Sequence, residues 1–153
     1  MPDPLGLTFV TRVYLDADHA GESVTRRSRS GYIFLLNIGP IYWLSKKQAP
    51  CDTSTYGSEF FAIKQATKYT CGLWYILRMF GISVTWPAFV NGDNQSVLCN
   101  TTAPQSTLKK KSNAIVFHFV REKCAQDECR KAYINKHLNI ADLMTKLLAG
   151  SKQ

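Results

Sequence analysis

Of the eleven acidic residues in the chain, four fall where the sequence pattern puts the junctions between elements. Asp16 comes late in a β-branched and aromatic run, and Glu59 in the predicted first turn of a long helix. Asp93 stands where a short apolar run ends, and Asp142 in the predicted first turn of a final helix. In open α/β sheets, strand ends and helix starts face one crevice, which is where ligands bind. Carboxylates gathered there repel one another unless cations lie between them. Hard oxygen donors with room for water and phosphate suit Mg²⁺ or Mn²⁺. Each residue also has a local role open to it: Asp93 can cap the next helix, Glu59 and Asp142 can complement a helix dipole, and Asp16 can belong to an Asp16-Ala17-Asp18 turn. Spacing alone leaves both sets of roles open.

The elements that must position these side chains follow from the pattern. Residues 9–15 predict a first strand, 22–30 an arginine-rich loop, and 31–36 and 41–45 two further strands across a short turn at 37–40. After a loop at 46–57, residues 59–80 place Phe60, Ile63, Thr67, Cys71, Trp74 and Leu77 at helical intervals, and Gly81 supplies a stop. A strand at 88–91 leads through Gly92-Asp93-Asn94 into a short helix starting at Gln95. A helix at 113–125, a strand at 130–134 and a helix at 140–148 with Asn139 as its cap complete the order. Hairpins first and strand–helix alternation afterwards predict an α/β fold, a five-stranded mixed sheet flanked by helices.

A chain of 153 residues with 45% hydrophobic content has room for one domain with its own core. Its net charge of +8 and pI near 9.4 point to a polyanionic partner, nucleic acid before an acidic membrane surface. The basic residues form three groups: Arg26, Arg27 and Arg29; Lys46 and Lys47; and Lys109, Lys110 and Lys111. A lysine run is usually a solvated face. Predicted positions in loops beside the crevice favour phosphate contact for the arginines and the last run, and leave Lys46 and Lys47 evenly balanced. The five cysteines, Cys51, Cys71, Cys99, Cys124 and Cys129, include no C-x-x-C pair and read as reduced intracellular thiols. His19, His118 and His137 are too far apart for a finger-type zinc site. His137, five residues before Asp142, reads as a surface side chain with a proton-shuttling role as the alternative. No apolar stretch approaches the ~20 residues of a membrane span, and the start lacks the pattern of a signal peptide, so a soluble, untargeted chain is expected.

Ordered motifs carry a resemblance. Tyr14-Leu15-Asp16-Ala17-Asp18-His19-Ala20-Gly21 is similar to the Tyr-Ser-Asp-Ala-Asp-Trp-Ala-Gly of copia-type retrotransposon ribonuclease H domains, and Arg26-Arg27-Ser28-Arg29-Ser30-Gly31-Tyr32 to their Arg-Arg-Ser-Thr-Ser-Gly-Tyr. The stretch from Gly39-Pro40-Ile41-Tyr42-Trp43 to Ser45-Lys46-Lys47-Gln48 resembles Gly-Pro-Ile-x-Trp-x-Ser-Lys-Lys-Gln, and Glu59-Phe60-Phe61-Ala62 resembles Glu-Tyr-x-Ala. Asp93-Asn94-Gln95-Ser96, Phe117-His118-Phe119-Val120-Arg121-Glu122 and Ala141-Asp142-Leu143-Met144-Thr145-Lys146 complete the set.

The resemblance implies a ribonuclease H-like domain over residues 9–148, with an extension at 1–8 and a tail at 149–153. It implies a hydrolase that cuts the RNA strand of RNA–DNA hybrids with two Mg²⁺ ions, for which Mn²⁺ can substitute. Asp16, Glu59, Asp93 and Asp142 are the implied catalytic and metal-binding residues, and Arg26, Arg27, Arg29, Lys109, Lys110 and Lys111 the nucleic-acid contacts. Asp16 and Asp93 would be shared between the ions, Glu59 would also orient the 2′-hydroxyl, and Asp142 would serve the ion beside the nucleophile. The family places such a domain after a reverse transcriptase in a polyprotein, in a cytoplasmic retroelement particle or the nucleus. Departures are His19 for an aromatic, Leu15 for Ser, Tyr56-Gly57-Ser58 for Thr-x-Ala, and Gly92 for a frequent Cys. Tyr56 and Gly57, expected just before the helix, weaken its cap and leave the placement of Glu59 open. Two other readings stand beside this one: a DNA-cutting nuclease of the transposase or resolvase kind, and an inactive remnant that binds hybrid.

Overall fold

The computed structural model describes residues 9–20, 24–49, 54–84, 86–102 and 114–146. Cys51, the run Lys109 to Lys111, the expected extension at 1–8 and the residues from 147 onward lie outside the described residues. The elements are β1 (Thr11–Asp18), β2 (Arg29–Leu36), β3 (Gly39–Lys47), α1 (Thr55–Met79), β4 (Ala88–Gly92), α2 (Gln95–Thr102), α3 (Ala114–Ala125), β5 (Cys129–Tyr133), a single 3₁₀ turn (Lys136–Leu138) and α4 (Asp142–Thr145). Their order is the expected one.

The five strands lie in the order β3-β2-β1-β4-β5. β1, β2 and β3 are antiparallel neighbours, while β4 runs parallel to β1 and β5 parallel to β4. Asn37 turns the second hairpin with φ 57°, a conformation that asparagine tolerates. It also anchors β1, because its N–H donates to the Val10 carbonyl at 2.8 Å and its Oδ1 accepts the Val10 N–H at 3.0 Å.

β1 is longer than expected. Asp16, Ala17 and Asp18 form no turn but pair with Gly31, Ser30 and Arg29 across the ladder, which holds this acidic segment extended. The same pairing places Arg29, Lys46 and Lys47 in strands, where loops were expected.

α1 starts four residues earlier than expected, at Thr55. Ser54 is its cap, its side chain accepting the Gly57 N–H at 3.2 Å, and the Ser58 hydroxyl donates to the Thr55 carbonyl at 2.9 Å. Tyr56 and Gly57 therefore lie inside the first turn and do not weaken the cap, and Glu59 sits in the second turn, not the first. At the other end Gly81, with φ 74°, donates to the Arg78 carbonyl at 2.9 Å, and the Ile82 N–H donates to Leu77 at 3.0 Å. This is the paired closure that a left-handed glycine allows.

Successive strand residues face opposite sides of the sheet. Val13, Leu15 and Ala17 join Phe60, Ile63 and Ala66 of α1 in the core with Tyr32, Phe34 and Val90. Two threonines on the buried face of α1 return their hydroxyls to the carbonyls of Ile63 and Ala66, each at 2.8 Å, so their burial leaves no orphaned polar atom. Asp16 and its cross-strand neighbours Gly31 and Ser45 form one row across β1, β2 and β3. α4 seats on that row because Gly31 lacks a side chain: a Cβ there would stand 2.7 Å from Met144 Cβ and 2.8 Å from the Ala141 carbonyl oxygen. Gly31→Ala should therefore lift α4 and lower unfolding free energy by about 1–3 kcal/mol in urea titrations. A variant as stable as the parent would show that α4 does not depend on this contact.

Candidate active site

Parallel pairing of β1 with β4 sets their C-terminal ends side by side. Asp16 lies near the end of β1, and Asp93 follows Gly92, the last residue of β4. Glu59 reaches the same place from the second turn of α1, and Asp142 opens α4. Their fields overlap: Asp93 and Asp142 both act on Asp16, and Asp93 and Asp16 both act on Glu59. All four carboxylates that the sequence singled out thus form one electrostatic cluster.

Asp16 and Glu59 are each only 7% exposed. Burial raises the Asp16 carboxyl above its ordinary range; the Thr145 hydroxyl opposes the shift, and Asp93 and Asp142 add to it. Glu59 is pushed up to about 8, by burial first and then by Asp93 and Asp16, against a hydrogen bond from Asn94 and the charge of Lys136. Two oxygens are already engaged, Asp16 Oδ2 by the Thr145 hydroxyl and Asp142 Oδ2 by the Lys146 ammonium. Two others, Glu59 Oε2 and Asp93 Oδ1, are buried and have no hydrogen-bond partner. A buried polar atom left unpaired is costly, and its persistence calls for a ligand or a function.

The donor set is all oxygen, which fits a hard divalent cation. Among the described residues, no three His, Cys, Asp or Glu side chains close into a metal-holding group.

Several positioning residues escaped the sequence reading. Asn139, expected as the cap of the last helix, has extended backbone and caps the turn that leads into α4, its Oδ1 accepting the Ala141 N–H at 3.2 Å. It is also a buried strap, donating from Nδ2 to the Leu15 carbonyl at 2.8 Å, which fixes α4 to β1 beside Asp16. Thr145 lies three residues after Asp142 and shares its helix face, a spacing that was visible in the sequence. Gln48 is 2% exposed and donates to Ser30 Oγ at 2.7 Å and the Ser58 carbonyl at 2.8 Å, which ties β2 and the end of β3 to the turn carrying Glu59. Asn94 Oδ1 accepts the Val97 N–H at 3.2 Å, so Asn94, not Asp93, caps α2.

Of the expected nucleic-acid contacts, Arg26 and Arg27 are exposed ahead of β2. Arg29 Nη1 donates to Ser45 Oγ at 3.3 Å, and Ser45 donates in turn to the Met144 carbonyl at 2.6 Å. Arg29 pairs with Asp18 across the ladder, at the rim of the acidic row. His137 is exposed in the 3₁₀ turn and lines an open groove with Asn139, Asp142 and Lys146. Among the described residues no helix is long and apolar enough to cross a membrane, and Cys71, Cys99, Cys124 and Cys129 form no disulfide.

Fold and topology define the class as ribonuclease H-like. Ribonuclease H1 LC11, solved with an RNA/DNA hybrid, superposes with TM-score 0.64 at 14% identity, covering 88% of this chain and 92% of that one. The protease–reverse transcriptase of prototype foamy virus gives TM-score 0.64 at 11% identity, over 93% of this chain and 21% of that one. No protein-family model matches the chain. In sequence it is 30% identical over 144 residues to the retrovirus-related Pol polyprotein from transposon RE1 of Arabidopsis thaliana, covering 94% of this chain and 10% of that protein. The corresponding polyprotein from transposon TNT 1-94 of Nicotiana tabacum is 28% identical over 143 residues, covering 94% of this chain and 11% of that protein. The chain's homologues are thus Pol polyproteins of copia-type retrotransposons, and its fold is ribonuclease H-like. The chain spans about a tenth of the length of these relatives.

The raised carboxyls set the pH dependence of stability. The folded state holds the Glu59 proton more tightly than the unfolded chain, so this contribution is fully present below the ordinary value of 4.5 and is lost as pH rises through about 8. In divalent-free buffer, unfolding free energy should fall across that window, and Glu59→Gln should flatten the fall. Urea titrations at several pH values give the slope; equal slopes in parent and variant would contradict the burial of a protonated Glu59.

Proposed function

We propose that the chain is a divalent-cation-dependent ribonuclease that hydrolyses the RNA strand of RNA–DNA hybrids. The observation that carries this reading is the cluster of Asp16, Glu59, Asp93 and Asp142, in which Glu59 Oε2 and Asp93 Oδ1 are buried without a partner. Bound Mg²⁺ or Mn²⁺ supplies charge neutralisation at the scissile phosphate and a water acidic enough to attack it. Asp16 and Asp93, on adjacent strand ends, are the residues that would be shared between two such ions, with Glu59 and Asp142 on either side.

The protein's own groups do the rest. Asn139 and Gln48 hold the two flanking elements in register with β1 and β2. Glu59, from α1, accepts the substrate's 2′-hydroxyl, a contact that duplex DNA lacks. Lys146 pairs with Asp142, and the Thr145 hydroxyl donates to Asp16. Arg26, Arg27 and Arg29 meet phosphates at the rim, with Lys109, Lys110 and Lys111 assigned the same role from sequence. The hybrid in the LC11 structure and the reverse transcriptase in the foamy virus chain support an RNA–DNA hybrid as substrate and a reverse-transcriptase segment of the same polyprotein as partner. On this reading the catalytic domain spans residues 9–148.

The test is incubation of the purified chain with end-labelled hybrid, single-stranded RNA and duplex DNA, with Mg²⁺, Mn²⁺ or Ca²⁺. Expected is cleavage of the hybrid's RNA strand alone, with Mg²⁺ or Mn²⁺ and not with Ca²⁺, whose looser geometry does not align the attack. Comparable cutting of duplex DNA would assign the site to the transposase or resolvase class. No cutting with any ion would make the chain a non-catalytic remnant.

A further inference from the structure

Away from the acidic cluster, two thiols meet where α3 turns into β5. α3 ends in a left-handed closure: Asp127 has φ 55°, its N–H donates to the Cys124 carbonyl at 3.1 Å, and the Glu128 N–H donates to Lys123 at 3.1 Å. Arg130 clamps the turn, with Nε and Nη2 donating to the two Asp127 carboxylate oxygens at 2.9 and 3.2 Å. The reversal lays Cys129, the first residue of β5, back on the last turn of α3. Cys124 Sγ and Cys129 Sγ stand 3.8 Å apart, and Lys131 Nζ donates to Cys129 Sγ at 3.5 Å. Cys124 is half-buried, Cys129 is fully buried, and both line one surface cavity with Arg121 and Lys131.

We propose that Cys124 and Cys129 are a reversible dithiol–disulfide site whose oxidant is a small-molecule disulfide of the glutathione class. Cys124, the sulfur that solvent reaches, passes its proton to Cys129 Sγ, 3.8 Å away, as it attacks the reagent, forming a mixed disulfide and releasing one reagent thiolate. Cys129 then gives that proton to the released thiolate, attacks Cys124 Sγ, forms the internal S–S bond and expels the second reagent thiolate. The pair loses two electrons and its one proton, and one reagent disulfide becomes one thiol and one thiolate. The thiol of Cys124 and the ammonium of Lys131 bring Cys129 down to about 6, against its burial and the charge of Glu128. Cys124 is pushed the opposite way by the hydrogen bond it gives Cys129 and by burial, so the resting pair is a Cys124 thiol against a Cys129 thiolate, and the nearest electrophile that buried sulfur can meet is a sulfur carried by Cys124. Cys71 stands apart: burial and the Glu128 carboxylate, to which it donates at 3.1 Å, push its thiol up to about 12. It stays protonated and outside the exchange.

The experiment is exposure of the folded chain to oxidised glutathione, followed by denaturing alkylation, intact mass and peptide mapping. Expected is a loss of about 2 Da, two fewer alkylated cysteines and a cross-link between residues 124 and 129, all reversed by dithiothreitol. Cys129→Ser should instead keep a glutathione adduct of about 305 Da on Cys124. Cys124→Ser, the second variant, should carry none on Cys129, which solvent does not reach. A lasting adduct on Cys124 of the parent chain, no reaction of the pair, or a cross-link of either residue to Cys51, Cys71 or Cys99 overturns the proposal.

Discussion

The rest of the structure depends on the repulsion among carboxylates held in one half-buried place. Asp16 and Glu59 are both withdrawn from water while facing Asp93, so each charged form is penalised twice, by lost hydration and by its neighbours. The fold holds the cluster together with neutral and cationic partners at its edges. Thr145 donates to Asp16, Lys146 pairs with Asp142, and Asn139 ties their segment to the backbone of β1. The Lys146 pair is mostly exposed on the lysine side and adds little stability; the buried amide of Asn139 is the stronger constraint. Nothing at the edge reaches Glu59 Oε2 or Asp93 Oδ1. The centre of the cluster is therefore where the fold leaves its electrostatic cost uncompensated.

Architecture follows from the same requirement. Parallel pairing of β1 and β4 is what brings Asp16 and Asp93 to one end of the sheet, and the missing side chain of Gly31 is what lets α4 carry Asp142 onto the row containing Asp16. Gln48 performs the matching task for Glu59, linking Ser30 of β2 to Ser58 of α1. Each of the four acids is thus delivered by a different element, and each element is fastened by a contact between residues distant in sequence.

That division explains what was legible in the sequence. The order of elements and the mixed sheet were readable because hydrophobic period and turn residues are local signals, as at Asn37 and Gly81. The four acids were readable because they stand at element junctions and sit in ordered motifs. The start of α1 was misplaced because Tyr56-Gly57-Ser58 reads as loop, whereas the cap is Ser54 and the helix runs through the glycine. The end of β1 was misplaced because Asp-Ala-Asp reads as a turn, whereas pairing to β2 holds it extended. The strap role of Asn139, the buried amide of Gln48 and the meeting of Cys124 with Cys129 depend on side-chain contacts made only in the folded chain, and no periodicity encodes them.

The central claim is that four carboxylates are assembled to be neutralised by cations. It is tested most directly by thermal melting of the parent and of Asp93→Asn at pH 8, from divalent-free buffer to millimolar Mg²⁺. A cation that binds only the folded cluster raises the melting temperature by mass action. The account predicts a rise of several degrees in the parent with added Mg²⁺. It predicts that Asp93→Asn melts no lower than the parent without Mg²⁺ and responds far less to it, having lost one charge from the cluster. Equal responses in the two proteins, or none in either, would contradict it.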